Sequence, residues 1–426
     1  MSMIVILSLM ALFITLFLRM PVFISLLSAP VTYFLLTPGI PGQIMAQRVI
    51  SGIETIPLLA IPFFVCSGVI MNFAGITERI MLFAEVLMKR IPGGLAQVNV
   101  LLSLLMSGMC GSNLADGAME AKMLVPAMEA KGFSKEFSTV VTAVSAIITP
   151  LIPPGIAMIL YGSLANISIG KIFVAGFGPG LLLTVALMIL VGIISVKRKY
   201  SNEMVDQVSL LRAFIHAIIP LMLPVVLVGG IRFGVFTPTE AGAGIVVIAV
   251  VLSVAYRNFK WNALFGALKE TVATTAAIMM IIGAASALAW VLTRERIPQH
   301  LTSVIVGNIS NKYVFLMAIN VFLLFIGMFI EGNAVMIVLV PLFVPVARAF
   351  GIDDIQFAMV FIFNMAIGTV TPPVGTLTFI TCSITGCKLS GFYKECIPFY
   401  GVLFACLMLL TYFPLFTTGI VSLVYG

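Results

Sequence analysis

Two proline pairs interrupt apolar segments of this sequence in the same way. Pro153-Pro154 lies within 148–155, and Pro372-Pro373 lies within 367–376. Because proline lacks the backbone N–H and clashes with the preceding turn, a helix cannot run straight through either pair. The interruption frees carbonyl oxygens that suit a sodium ion, while the N-termini of half-helices attract anions. The pattern therefore predicts two related cation sites with an anion site between them; a plain proline kink is the alternative.

Three acidic residues lie in apolar surroundings in the sequence: Asp116, Glu240 and Glu331. An acid within a membrane segment is energetically costly, and it is a functional candidate by default. Asp116 and Glu331 fall in two polar, glycine-rich stretches, 107–117 and 327–333, where we expect roles in cation binding or hydrogen bonding. Arginines that could pair with a substrate carboxylate, although topology charge also explains them, are Arg232, Arg294 and Arg296.

The composition determines where such sites can be. Of the 426 residues, 61% are hydrophobic and only 9% are charged, whereas a soluble domain carries about 25% charged residues. The apolar excess must face lipid, so the lipid bilayer is the first partner. We interpret the net charge of +7 as a membrane topology signal, with no nucleic acid as partner. The N-terminal run 3–18 lacks a basic leader and a small-residue cleavage site, so we expect a retained helix.

Enzyme motifs are missing from the sequence. It contains neither an HExxH zinc motif nor a Walker A motif, and the six cysteines show no CxxC spacing. We therefore predict that the protein is not an enzyme and that its cysteines are small core residues. An intramembrane enzyme is the remaining alternative from a different class.

The apolar pattern predicts an all-α integral membrane protein. Two long segments, 95–130 and 313–349, are broken in the middle by glycine and polar residues. Irregular backbone at membrane depth occurs only where it is buried in protein or lines a cavity, so we predict two re-entrant helical hairpins. The simple spans are predicted at 3–18, 21–37, 57–75, 137–162, 172–196, 213–233, 240–256, 270–292, 355–380 and 396–417.

The two halves of the chain match without gaps. Gly108 corresponds to Gly327 and Pro126 to Pro345, an offset of 219 residues in both cases. The loop after the first hairpin, 131–135, is basic, whereas 351–354 is acidic, so the positive-inside rule places them on opposite sides. This predicts an inverted repeat, a common transporter design, with both termini in the periplasm. The predicted units are scaffold helices at 1–56, a first repeat at 57–212, central scaffold helices at 213–269 and a second repeat at 270–426.

With these motifs, the chain resembles the large membrane subunit of tripartite ATP-independent periplasmic (TRAP) transporters over nearly its whole length. The most specific segments are 234–242, 152–155 and 371–376, with the sequences GVFTPTEAG, IPPG and TPPVGT. The resemblance implies an elevator-type carrier, similar in fold to the ion transporter superfamily, in a bacterial inner membrane. It also implies symport with Na+ at two or more sites, a small four-helix membrane subunit and a periplasmic substrate-binding protein. Family substrates are organic acids, including sialic acid and C4-dicarboxylates. The alternative is a stand-alone sodium/dicarboxylate symporter.

The resemblance also implies site residues at matching positions. The first sodium site would use Ser112, Asn113 and the carbonyls around Thr149, Ile152 and Pro154. The second would use Gly327, Gly332 and Asn333 of the tip with the carbonyls around Gly368, Thr371 and Gly375. The substrate would lie between the tips, in contact with Asp116, Ser168 or Arg296. The polar first tip favours a hydroxyl-rich ligand such as sialic acid.

Overall fold

The computed structural model describes residues 3–18, 20–200 and 209–426, and these residues form twenty α-helices and no strand. Eight stretches among them are long and apolar enough to cross a bilayer. The first ten helices are α1 Met3–Phe17, α2 Val22–Leu36, α3 Gln43–Ile53, α4 Ala60–Phe73, α5 Ile76–Met88, α6 Gly94–Cys110, α7 Asn113–Ala130, α8 Lys135–Ser145, α9 Ile156–Ala165 and α10 Ile169–Arg198. The others are α11 Leu210–Arg232, α12 Pro238–Ala255, α13 Trp261–Arg294, α14 Ile297–Asn308, α15 Lys312–Gly327, α16 Gly332–Ala349, α17 Asp354–Gly368, α18 Thr376–Thr385, α19 Leu389–Tyr412 and α20 Thr418–Tyr425.

The two predicted hairpins are present as pairs of helices. A short link, Gly111-Ser112, joins α6 to α7, and residues 328–331 join α15 to α16. The helix pairs cover 94–130 and 312–349, within one residue of the predicted bounds. Their depth in a bilayer stays a prediction.

Both proline pairs interrupt helices as predicted. Helix α8 tightens into a 3-10 turn, Ala146–Leu151, before the chain passes through Pro153-Pro154 and starts α9. Helix α17 ends at Gly368, and α18 starts only at Thr376, after Pro372-Pro373. We call 152–155 the first break and 369–375 the second break.

The order of elements repeats along the chain. Helices α7 and α16 start at positions 113 and 332, and α8 and α17 start at 135 and 354, an offset of 219 each time. Helices α9 and α18, and then α10 and α19, keep the offset within one residue. The same backbone plan therefore occurs twice, and its inversion across a membrane stays a prediction.

The helices pack in two groups that meet around the hairpins. The long helix α13 packs on α2, α3 and α4, while α12 packs on α4. The other group contains the hairpins, the broken helices, α10 and α19. In the most apolar 18 residues of Lys135–Ala165, every residue is buried inside the protein. In the corresponding part of Leu210–Arg232, only 22% of the residues are buried. The first broken helix therefore lies at the centre and α11 at the periphery.

Two short helices, α5 and α14, pack along the hairpins. Helix α5 lies against α11 and α6, and it buries Ile76, Ile80 and Ala84. Helix α14 packs on α16 of the second hairpin and on α13. Each hairpin thus has one short helix along its flank. Two further helices, α3 and α20, were not predicted from the sequence.

Candidate ion and substrate site

The first hairpin tip lies directly on the first break. The backbone N–H of Ile156 donates to the carbonyl oxygen of Gly111 at 3.2 Å. Gly111 has a left-handed φ of +63°, and the carbonyl oxygen of Pro154 occupies the place where its Cβ would be. Glycine tolerates both the positive φ and the close backbone approach, which is why the tip can reach the broken helix.

The second tip touches the second broken helix in a similar way. A Cβ built on Gly368 would lie 2.7 Å from the carbonyl carbon and oxygen of Gly327. Across the break, the backbone N–H of Leu377 donates to the carbonyl of Thr369 at 2.9 Å. Both tips therefore meet a helix interruption backbone to backbone.

The predicted carbonyl ligands fall into two sets. The carbonyls of Thr149, Gly368 and Gly375 accept backbone hydrogen bonds. No described residue donates a backbone hydrogen bond to the carbonyls of Ile152, Pro154 and Thr371. The second set is the one whose lone pairs are open to a cation.

At the first tip, side chains connect the two halves of the molecule. Asn113 Nδ2 donates to Thr369 Oγ1 of the second break at 3.2 Å. Asp116, one turn further, is completely buried, and its Oδ2 accepts from Thr149 Oγ1 at 2.7 Å. Asp116 therefore faces the first broken helix inside the protein rather than an open cavity.

At the second tip, Glu331 caps its own helix. Glu331 Oε2 accepts from the backbone N–H of Ala334 at 3.1 Å, and Oε1 accepts from Asn333 Nδ2 at 2.7 Å. A carboxylate at a helix N-terminus is also stabilised by the helix dipole. The tip thus holds one carboxyl group in a defined orientation.

Two cavities lie at these tips. A small one of about 40 Å³ lies between them, and its lining includes Asn113, Glu331, Gly332 and Thr369. A larger one of about 600 Å³ extends from the tips to α4 and α13. The polar residues in the lining of the larger cavity are Asn72, Ser112, Glu270, Thr274, Glu331 and Asn333.

The lining of the larger cavity contains two acidic residues. Glu270 on α13 and Glu331 on the second tip face it, and none of its described lining residues is a lysine, arginine or histidine. In the described ranges, no group of three or more His, Cys, Asp or Glu residues could hold a metal ion. A cation here would be held chiefly by carbonyl, hydroxyl and amide oxygens, which suit a hard monovalent ion.

None of the three predicted substrate contacts lines either cavity: Asp116 is buried beside the first tip, and the other two lie elsewhere. Ser168 is the N-cap of α10, where its Oγ accepts from the backbone N–H of Lys171 at 3.4 Å. Arg296 is an exposed residue with a left-handed backbone just before α14. Neither lines the two cavities at the tips. Ser168 was predicted to contact the substrate from the resemblance alone, whereas Arg296 was also predicted from its charge.

The third acid of the sequence analysis, Glu240, lies at the protein surface and away from both tips. Glu240 is exposed, and it forms a capping box with Thr237 at the start of α12. Its Oε2 accepts from the backbone N–H of Thr237 at 2.7 Å. The specific segment 234–242 is thus a turn followed by a strong helix start.

The other arginine candidates are also distant from the tips. Arg232 Nε donates to the carbonyl of Val424 at 2.7 Å, and its guanidinium lies over the ring of Tyr425. Arg294 lines a separate cavity with Arg48 and Trp290. Neither arginine therefore lies at the two tips, and the guanidinium of Arg294 lies over the ring of Trp290.

Comparison with known proteins gives one family. The model described as "Tripartite ATP-independent periplasmic transporter, DctM component" matches residues 9–416. The sialic acid TRAP transporter large permease protein SiaM of Vibrio cholerae is 38% identical over 413 residues, 96% of this chain and 97% of that protein. The sialic acid permease SiaT of Haemophilus influenzae is 35% identical, over 96% of this chain and 67% of that protein. The C4-dicarboxylate permease DctM of Pseudomonas aeruginosa is 35% identical, over 91% of each chain.

Solved structures support the fold. The Alcanivorax borkumensis YdaH transporter, described as having an unusual topology, aligns with a TM-score of 0.60 at 14% identity and covers 86% of each chain. Neisseria gonorrhoeae MtrF aligns with a TM-score of 0.56 at 11% identity, over 87% of this chain and 82% of that one. At these identities the likeness concerns the fold alone.

Proposed function

Because the chain belongs to the DctM component family, and is the large membrane subunit of a bacterial TRAP transporter, we propose that it imports a small organic acid in symport with sodium ions. The observation that carries this proposal is the cavity between two hairpin tips, each in contact with a broken helix. The tips carry the polar side chains of Ser112, Asn113 and Asn333. The breaks carry three carbonyls that accept no backbone hydrogen bond between described residues, those of Ile152, Pro154 and Thr371.

The proposed sodium sites lie at the two contacts between tip and break. Backbone carbonyls and half-helix ends are the usual ligands for sodium in transporters with discontinuous helices. The nearest negative charges are Asp116 at the first site and Glu331 at the second. The two sites differ chemically, since one acid is held by a threonine hydroxyl and the other by its own helix N-terminus.

The proposed substrate lies in the larger cavity. Its volume of about 600 Å³ falls within the roughly 300–1,000 Å³ of small-molecule sites. Bound sodium would offset the acidic wall and attract the substrate carboxylate, while Glu270 and Thr274 would hydrogen bond hydroxyl groups. Relatives transport sialic acid, a C4-dicarboxylate or 2,3-diketo-L-gulonate, as their names state. Because Glu270 and Glu331 line the cavity and no basic residue does, a second substrate carboxylate would have no cationic partner there. The cavity therefore favours a hydroxyl-rich monocarboxylate, such as sialic acid, over a dicarboxylate.

We further propose an elevator movement of the hairpin group against the group built on α13. The cavity lies where the groups meet, so displacement of the tips past α4 and α13 would carry the substrate across. A small membrane subunit would hold the α13 group still, and a periplasmic binding protein would deliver the substrate, as family membership implies.

Thermal unfolding tests the sodium sites directly. A ligand that binds only the folded state stabilises it by RT ln(1 + L/Kd), where L is the free ligand concentration, and therefore raises the melting temperature. The chain, purified with its small membrane subunit, should melt at a higher temperature in sodium chloride than in potassium chloride at equal ionic strength. Identical melting in the two salts would contradict sodium binding.

A further inference from the structure

A second acid of the first hairpin is hidden among helices. Glu120 lies on α7 one turn after Asp116, and none of its surface is exposed. Its Oε2 is 2.7 Å from Ser103 Oγ on α6. Its Oε1 has no hydrogen-bond partner among the described residues. The mechanism proposed above does not use this carboxyl group.

The hydrogen bonds of Ser103 bear on whether the Glu120 carboxyl is protonated. Ser103 Oγ lies 2.7 Å from Glu120 Oε2 and also 3.2 Å from the carbonyl of Asn99. A serine hydroxyl has a single proton and can donate fully to only one of these oxygens. If the carboxyl is protonated, it donates to Ser103, and Ser103 donates to Asn99. Both contacts are then satisfied at once.

Charge and burial favour the same state. An ionised carboxylate with one donor and no cation, fully removed from water, is strongly destabilising. Among the described residues, no basic side chain forms an ion pair with Glu120. Asp116, one helical turn away, is a second acid and therefore provides no compensating cation.

The elements packed around α7 supply no compensating charge near Glu120. Helix α6 and the 3-10 turn Ala146–Leu151 contain no charged residue, and α18 contributes only Cys382 as a titratable group. The charged residues of α8, Lys135 and Glu136, lie at its N-terminal end, about two turns before the Thr142 that bonds Asn99.

We propose that Glu120 is a proton-binding site, a neutral carboxylic acid whose proton joins α7 to Ser103 of α6. The hairpin then contains one buried charge, Asp116, beside the proposed first cation site. Only this last consequence depends on the proposed function. At the offset of 219, the second hairpin has Val335 and Leu339 in place of the two acids, so the proton site belongs to the first half alone.

Infrared difference spectroscopy of the purified complex tests the proposal without transport. A protonated carboxyl has a carbonyl stretch that shifts in D₂O. Subtracting the spectrum of Glu120→Gln at neutral pH should reveal this band in the native protein, whereas Glu129→Gln, at a partly exposed glutamate paired with Lys135, should reveal none. Ser103→Ala should keep the band but move it to the higher frequency of a weaker hydrogen bond.

Stability gives the second readout. Glutamine places an N–H where the carboxylic O–H was, so Glu120→Gln should melt at the native temperature and Glu120→Ala at a lower one. A missing carboxyl band in the native protein, or a band that Ser103→Ala leaves unmoved, would overturn the proposal. Failure of the sodium proposal would change neither result, since both measurements are made without a gradient or substrate.

Discussion

At the scale of single residues, the first hairpin tip depends on Gly111 having no side chain. A left-handed residue other than glycine costs roughly 1–2 kcal/mol, and here a Cβ would also meet the carbonyl of Pro154. Gly111→Ala should therefore separate the tip from the break and abolish most uptake. Gly132→Ala is the matched control, because Gly132 has a φ of +85° and nothing within 4 Å of its Cβ position. Equal uptake by the two variants would show that the tip contact is unimportant.

Glu270 offers a residue-scale test of the substrate class. A hydrogen bond to a charged group contributes about 1.5–3 kcal/mol, so Glu270→Gln should weaken sialic acid binding to the membrane subunits roughly tenfold. Succinate binding should be unchanged or stronger, since a negative charge facing a dianion is removed. Calorimetry without the binding protein measures both, with Glu54→Gln, an exposed position away from the cavity, as control. Stronger sialic acid binding by Glu270→Gln would contradict the assigned role.

Some of the cavity residues were predictable from the sequence, and others were not, for physical reasons. Ser112, Asn113 and Asn333 were identified because polar residues and glycine stand out in an apolar hairpin. Glu270 was missed because it stood at the very start of the predicted span 270–292, whereas α13 starts at Trp261 and carries Glu270 inside the helix. Glu120 could have been found, since its spacing of four from Asp116 places both acids on one helix face.

At the scale of elements, the helix interruptions were predictable because proline acts locally through its own ring. Helices α3 and α20 were not, since they are short and depend on packing against α13 and α10, which no local pattern encodes. The contact of Gly327 with Gly368 is likewise a tertiary fact. The constant offset of 219 residues between matching positions predicted that these elements repeat. It did not predict which of their surfaces would be in contact.

The start of α12 gives an element-scale prediction that separates capping from ion binding. Thr237→Val removes the side-chain acceptor of the capping box and should destabilise the protein by about 1 kcal/mol. Glu240→Gln keeps a capping box and should leave both melting temperature and sodium-dependent uptake at native values. A loss of sodium dependence in Glu240→Gln, with stability unchanged, would return Glu240 to the list of functional acids.

At the scale of the whole molecule, the charges of the chain predict that its two halves are inverted relative to each other. The loops that follow the hairpins are opposite in charge, which predicts Lys131 in the cytoplasm and Asp353 in the periplasm. Single cysteines at these positions, in a background without the six native cysteines, should react with an impermeant maleimide from opposite sides of the membrane. Labelling of both from one side would contradict the inverted repeat.

Uptake driven by a sodium gradient is the most direct test of the proposed symport with sodium. Proteoliposomes containing the chain and its small membrane subunit would receive binding protein loaded with radiolabelled sialic acid outside. We expect sialic acid to accumulate inside when the sodium concentration is high outside and the potassium concentration is high inside. We expect no accumulation when choline replaces sodium or when the binding protein is omitted. Equal accumulation in choline would contradict sodium coupling, and full accumulation without the binding protein would instead identify a stand-alone symporter.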